Sequence, residues 1–187
     1  MSTTARWGLA VGESTREQFN PSTPIAHPEF KAIFSFIGDA GNRYLGNEFG
    51  AIHKPWGDAT IRFSLTYPEV YEVGASNLGH IVLYTVLNDE EGMLCDRSYM
   101  PADDMQALLT RMNKPLFAVE SKRPLGDFDT LGFSLAYELG ATNVLQMLTL
   151  SGIPLSAKER LAAEPGAVWD CENGSHPLIF AGELRAR

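Results

Sequence analysis

The chain has 187 residues, 44% of them apolar and 20% charged, with a formal net charge of −8 and a pI near 5.0. That length holds one domain with a real core plus an extension, and the composition is ordinary for a globular protein. The acidic balance, with no Lys/Arg run, argues against nucleic acid or an anionic membrane surface as a partner, since both need a cationic face.

No stretch approaches the ~18 apolar residues of a membrane helix. Met1–Arg6 has no basic region leading into an apolar core, so no signal peptide is expected. Cys95 and Cys171 lie far apart and form no metal spacing, which fits a reducing compartment. A cytoplasmic location follows as the expectation.

Residues 1 to about 25 mix Gly, Ser, Thr and Pro and read as a loose leader. Phe30, Ile33, Phe34 and Ile37 recur at helical spacing, so a short helix is expected over 27–37. A glycine-punctuated connection, Gly41 to Gly50, leads through His53-Lys54-Pro55-Trp56 to the first strand, near 61–66. A helix is expected from about Ser76, the N-cap, to Asn88, with Leu78, Ile81, Val82, Thr85 and Val86 on its buried face. A strand near 94–99 follows. The next helix opens at Pro101-Ala102-Asp103-Asp104 and runs to about Asn113, with Met105, Leu108, Leu109 and Met112 facing the core.

Leu116 to Val119 reads as a short edge strand. Thr130 to Leu135 is a nearly all-apolar strand of the kind buried in parallel sheets. A helix over about 139–151 ends at Gly152-Ile153-Pro154, a short helix follows over 156–163, and Pro177 to Gly182 reads as a last strand. Alternating strands and helices imply an α/β fold: a flavodoxin-like, Rossmann-like doubly wound sheet, mostly parallel, of four or five strands. Such a sheet ordinarily has one more strand and helix after the strand near Ile179, so the fold is expected to lack them. Residues 1–59 form an N-terminal extension and 60–187 the α/β domain.

Three stretches carry a resemblance: Arg43-Tyr44-Leu45-Gly46-Asn47-Glu48, then Tyr67 to Gly79, then Phe128 to Leu139, continued by Thr142-Asn143-Val144-Leu145 and Gly152-Ile153-Pro154-Leu155. In this order they resemble the N-terminal region of cobalamin-binding-domain radical S-adenosylmethionine proteins, over roughly residues 28–182. The resemblance implies a cobalamin-binding-like domain whose partner is a radical enzyme barrel. That barrel would carry Cys-x3-Cys-x2-Cys for a [4Fe–4S] cluster and S-adenosylmethionine, which this chain's two cysteines cannot supply. On this reading the chain is a fragment that stops before the barrel and holds no catalytic residue of its own.

The family pattern Asp-x-His-x-x-Gly falls on Glu69-Val70-Tyr71-Glu72-Val73-Gly74. Tyr71 takes the place of the axial His, so a corrinoid would bind without a protein ligand to cobalt. Ser134 matches the serine that contacts the cofactor's nucleotide tail, and Gly182 one of two glycines that let backbone approach it. Each residue has a plainer reading. Glu69, Tyr71 and Gly74 also suit a strand-to-helix turn, Ser134 a polar strand end, and Ser76 and Asn77 helix caps. His27, His53, His80 and His176 show no zinc spacing, and His80 reads as a surface or packed histidine. Arg43 and Glu48 are expected to pair with each other. The alternative function is a degenerate α/β domain serving as a protein–protein interface. A weaker possibility is an unrelated small-molecule binder on the same fold.

Overall fold

The computed structural model describes residues 43–135, 138–161 and 176–182. Within them the order is strand β1 (Ile61–Tyr67), a one-turn helix α1 (Tyr71–Gly74), helix α2 (Leu78–Asp89), β2 (Met93–Tyr99) and α3 (Asp103–Arg111). Then come β3 (Thr130–Ser134), α4 (Gly140–Leu150), the short α5 (Ala157–Leu161) and β4 (Leu178–Gly182). The strands form one sheet in the order β2-β1-β3-β4, every neighbouring pair parallel. This is the α/β arrangement the alternating pattern implies. The expected helix over 27–37 lies outside the described residues.

Register fixes which side chains share a face. Phe63, Leu65 and Tyr67 of β1 lie level with Cys95, Arg97 and Tyr99 of β2 and point toward α2. On the opposite face Leu94, Leu131 and Phe133 meet α3 and α4 through Met105, Leu108, Leu109, Val144, Met147 and Leu148, the main core. The core positions expected on α3, Met105, Leu108 and Leu109, are buried, and Met112 is partly buried against them. Beneath them Ser64, Thr66 and Ser98 are buried and satisfy one another, Ser98 Oγ lying 3.0 Å from Ser64 Oγ and 2.8 Å from Thr66 Oγ1.

Two local expectations fail. Leu116 to Val119 is not a strand: it makes one antiparallel bridge, Phe117 with Pro124, and runs as a loop. Its Val119 N–H donates to the Arg97 carbonyl at 2.7 Å, so the loop caps the outer edge of β2. The cap of α2 is Asn77, whose side chain accepts from the His80 N–H at 3.0 Å. Ser76 instead turns its hydroxyl back to the carbonyls of Glu72 and Val73.

The larger correction concerns the face of α2. The residues it buries are His80, Tyr84 and Asn88, with Leu83 and Leu87 half-buried beside them. Leu78, Ile81, Val82 and Val86 are exposed, at 73%, 40%, 51% and 51%. Tyr84 and Asn88 have internal hydrogen-bond partners that hold them inward. Asn88 Nδ2 donates to the Tyr84 and Cys95 carbonyls, and its Oδ1 accepts from the Cys95 N–H. The Tyr84 hydroxyl accepts from the Ile52 N–H at 2.7 Å and donates to the Ile52 carbonyl.

Candidate functional site at the carboxyl ends of the strands

In a doubly wound sheet the crevice lies where neighbouring strands send their crossovers to opposite faces. Here β1 leads into α2 on one face and β3 into α4 on the other, so the β1/β3 boundary is that point. An open cleft of about 390 Å³ sits beside it, lined by Glu69, Val70, Met100, Asp103, Gln106 and Asn143 among others. Asn143 Nδ2 donates to the Pro68 carbonyl at 2.8 Å and reaches Glu69 Oε1 at 3.5 Å. Glu69 therefore faces the α3–α4 side of the sheet.

Tyr71 turns the other way. Its ring meets Tyr99 edge-on at 5.3 Å, and its hydroxyl faces the Glu48 carboxylate. Burial and that carboxylate push the phenol up to about 12. Gly74 packs beneath the same ring: a Cβ there would lie 2.5 Å from Tyr99 Cδ1 and 3.2 Å from Tyr67 Cβ. Close packing alone accounts for a glycine at this position.

Glu48 belongs to a buried ionic cluster. Arg97 Nη2 lies 3.2 Å from Glu48 Oε1 and Arg97 Nε 2.6 Å from Glu120 Oε1; Glu120 also accepts from the Arg97 N–H at 2.7 Å. Burial disfavours the guanidinium charge, but Glu120, Tyr99 and Glu48 outweigh it and raise the Arg97 pKa. Asp96 accepts from the Ser121 N–H at 3.0 Å; burial and then Glu120 push its carboxyl well above the usual range. Lys122 donates to the carbonyls of Leu45, at 2.7 Å, and Val119, and burial draws its ammonium down to about 8.

The Arg43–Glu48 motif is a strap over this cluster. Tyr44 is buried and its hydroxyl accepts from the Ala102 N–H at 3.1 Å. Gly46 has φ +68, and a Cβ there would meet the Val119 carbonyl oxygen at 2.3 Å, so no other residue fits without moving the loop. The expected Arg43–Glu48 pair does not form. Arg43 Nε pairs with Glu72 at 3.0 Å and Glu48 with Arg97, so the strap ties α1 to β2. Position along the sequence hid this, because both true partners lie beyond the strap itself.

His80 is fully buried, 5.3 Å from the Tyr67 ring and 5.6 Å from the Tyr99 ring, and among the described residues neither ring nitrogen has a hydrogen-bond partner. Burial, helped by Arg97, lowers its pKa to about 3, so it is neutral and packed. Cys95 is likewise buried, and desolvation raises its thiol pKa well above the ordinary value.

Ser134 and Gly182 are brought together, directly opposite in the β3–β4 ladder. Ser134 is 6% exposed and its Oγ has no hydrogen-bond partner among the described residues; Gly182 is exposed, with none of the described residues within 4 Å of where a Cβ would sit. The five residues singled out from the sequence thus fall in three places. Glu69 lines the cleft, Tyr71 and Gly74 pack under the strap, and Ser134 and Gly182 meet at the open side of the sheet. Sequence reasoning missed Asp96, Arg97, Glu120 and Lys122. The one available signal was a pair of adjacent charges, Asp96-Arg97, inside a strand that reads as buried.

Comparison with known proteins gives the lineage. A family model described as radical SAM proteins, N-terminal, matches residues 79–184. No curated protein and no solved structure matches the chain. The family match spans more than half of the chain and covers α2 through β4. The chain belongs to the radical SAM proteins, as an N-terminal region of that family.

Proposed function

We propose that this domain is a docking module of a radical SAM protein, and that the outer face of α2 seats against the cluster-bearing catalytic barrel. The observation that carries this is the reversed polarity of α2. Its polar His80, Tyr84 and Asn88 point inward, while Leu78, Ile81, Val82 and Val86 face solvent in a contiguous stripe. Contiguous apolar stripes of this kind mark interaction surfaces in monomeric proteins. The radical SAM family supplies the class of partner. Mixing the chain with a separately produced radical SAM barrel of the family should give one co-eluting species in size-exclusion chromatography. Val82→Asp with Val86→Asp should abolish co-elution while the thermal midpoint holds. A complex indifferent to this pair contradicts the reading.

A second reading, corrinoid binding, is favoured by the buried, unpartnered Ser134 Oγ. The residues fit that cofactor in part. Ser134, with the open Gly182 beside it, suits contact with a nucleotide tail. Tyr71 does not suit cobalt, because its hydroxyl faces Glu48 and its pKa is raised to about 12. A tail-bound corrinoid would bring cobalt chemistry to the partner. Hydroxocobalamin titration followed by absorbance is the check: saturation that Ser134→Leu weakens supports it, and an unchanged spectrum rejects it.

A further inference from the structure

The tip of the strap is pinned at both ends and held in the middle by one side chain. Before it, buried Tyr44, the Lys122–Leu45 bond and the close seat of Gly46 fix the chain. After it, the Tyr84 hydroxyl holds both backbone groups of Ile52. Between them Asn47, Phe49 and Gly50 are exposed. Gly46 and Gly50, at φ +68 and +89, bracket the tip with the backbone freedom of hinges. Among the described residues only the Glu48 side chain ties this tip to the sheet, through Arg97 and the Tyr71 hydroxyl.

That tie is loose beside its neighbour. Glu120 Oε1 lies 2.6 Å from Arg97 Nε, whereas Glu48 Oε2 lies 3.3 Å from Nη1 and Oε1 3.2 Å from Nη2. The last contact is not directed as a hydrogen bond, so Glu48 Oε1 and Arg97 Nη2 are both buried without one among the described residues. Tyr99 is 2% exposed, and its hydroxyl, within the fields of Arg97, Glu120 and Glu48, also has none there. A buried donor left unpaired costs free energy, and folded proteins keep few of them. Around this one carboxylate, the Arg97 Nη2 and Tyr99 donors are in excess.

Charge selects what can use them. Arg97 and Lys122 stand against Glu48 and Glu120, while burial and Glu120 favour the protonated form of Asp96. The cluster is neutral with Glu48 in place and carries one positive charge without it, which a monoanion restores to balance. We infer that Arg97 and Tyr99 form a binding site for a small carboxylate, and that Glu48 is its internal occupant, swung in on the tip of the strap. The Glu48 side chain is 26% exposed, so exchange opens directly to solvent. The site lies on the α2 side of the sheet, apart from the cleft at Glu69 and from Ser134.

The test uses the whole chain at pH 6, comparing acetate with chloride at equal ionic strength. Glu48→Ala removes one methylene and a carboxylate, about the size of acetate, while Glu120 still holds Arg97. Acetate should raise the thermal midpoint of this variant saturably. The native chain, where Glu48 competes, should need at least about tenfold more acetate for the same rise. Tyr99→Phe removes a hydroxyl that has no hydrogen-bond partner among the described residues, so alone it should leave the midpoint nearly unchanged. Added to Glu48→Ala, it should weaken acetate binding about tenfold. In the native chain acetate should speed hydrogen exchange across 47–51, and Tyr99→Phe should suppress that effect; this arm decides alone where Glu48→Ala does not fold. No saturable rise in folded Glu48→Ala, or a rise equal to that of the native chain, overturns the inference. So does a rise indifferent to Tyr99→Phe or, where Glu48→Ala does not fold, native exchange that acetate leaves unchanged.

Discussion

Glu120 is the residue on which the β2 edge depends most. It is 1% exposed and accepts from both the backbone and the Nε of Arg97. Removing one partner of a buried pair leaves an uncompensated charge, which costs about 3–5 kcal/mol. Glu120→Ala should lose stability on that scale in urea unfolding. Glu72→Ala breaks the Arg43 pair, where the Glu72 side chain is 56% exposed, and should change stability by about 1 kcal/mol or less. Equal losses would mean that the cluster does not hold the edge.

His80 gives a pH signature. Its folded pKa is lowered from 6.5 to about 3, so between those values the unfolded chain holds the extra proton. Its contribution is therefore full above about 6.5 and is lost as pH falls toward 3. Asp96 acts in the opposite sense, because its folded pKa is raised: its contribution is full at low pH and fades as pH rises through the folded value. The difference between the native chain and His80→Phe isolates the histidine. Native stability should fall relative to the variant by a few kcal/mol from pH 6.5 to 4. Parallel profiles would show that His80 is not buried neutral.

At the scale of elements, α2 separates what was legible from what was not. Its existence and length followed from apolar recurrence and a polar start. Its face did not, because periodicity reports an apolar stripe without saying what the stripe meets. Tyr84 is drawn inward by bonds to Ile52, far back along the chain, and Asn88 by bonds to Cys95 on the next strand, partners that lie outside the helix and so outside its periodicity. The α3 stripe was read correctly because that helix packs on the apolar side of the sheet, where Leu94, Leu131 and Phe133 lie. The cap was off by one residue: Asn77→Ala should cost about 1 kcal/mol in denaturant unfolding and Ser76→Ala under about 0.5. The reverse ranking would restore Ser76 as the cap. On the same helix Tyr84→Phe should cost about 1–2 kcal/mol, since it orphans the Ile52 N–H and carbonyl.

At the scale of the molecule, the sheet order and parallel sense were legible, because alternating strands and helices leave few right-handed windings. The candidate site was legible only in pieces. Glu69, Tyr71 and Gly74 are near neighbours in sequence, yet Glu69 lies in the loop before α1 and Tyr71 opens that helix, so Glu69 faces α4 and Tyr71 faces the strap. Ser134 and Gly182 are far apart in sequence and share a rung of the sheet. The ionic cluster under the strap was invisible because its members come from the strap, β2 and the loop that caps β2.

The proposed contact between this domain and a catalytic barrel is the outer face of α2. Hydrogen–deuterium exchange of the chain, with and without a radical SAM barrel of the family, addresses that contact directly. Added protection should fall on peptides covering 78–89, and should vanish for the Val82→Asp, Val86→Asp variant. Protection confined to the ends of β3 and β4 around Ser134 and Gly182, with α2 unchanged, would contradict it.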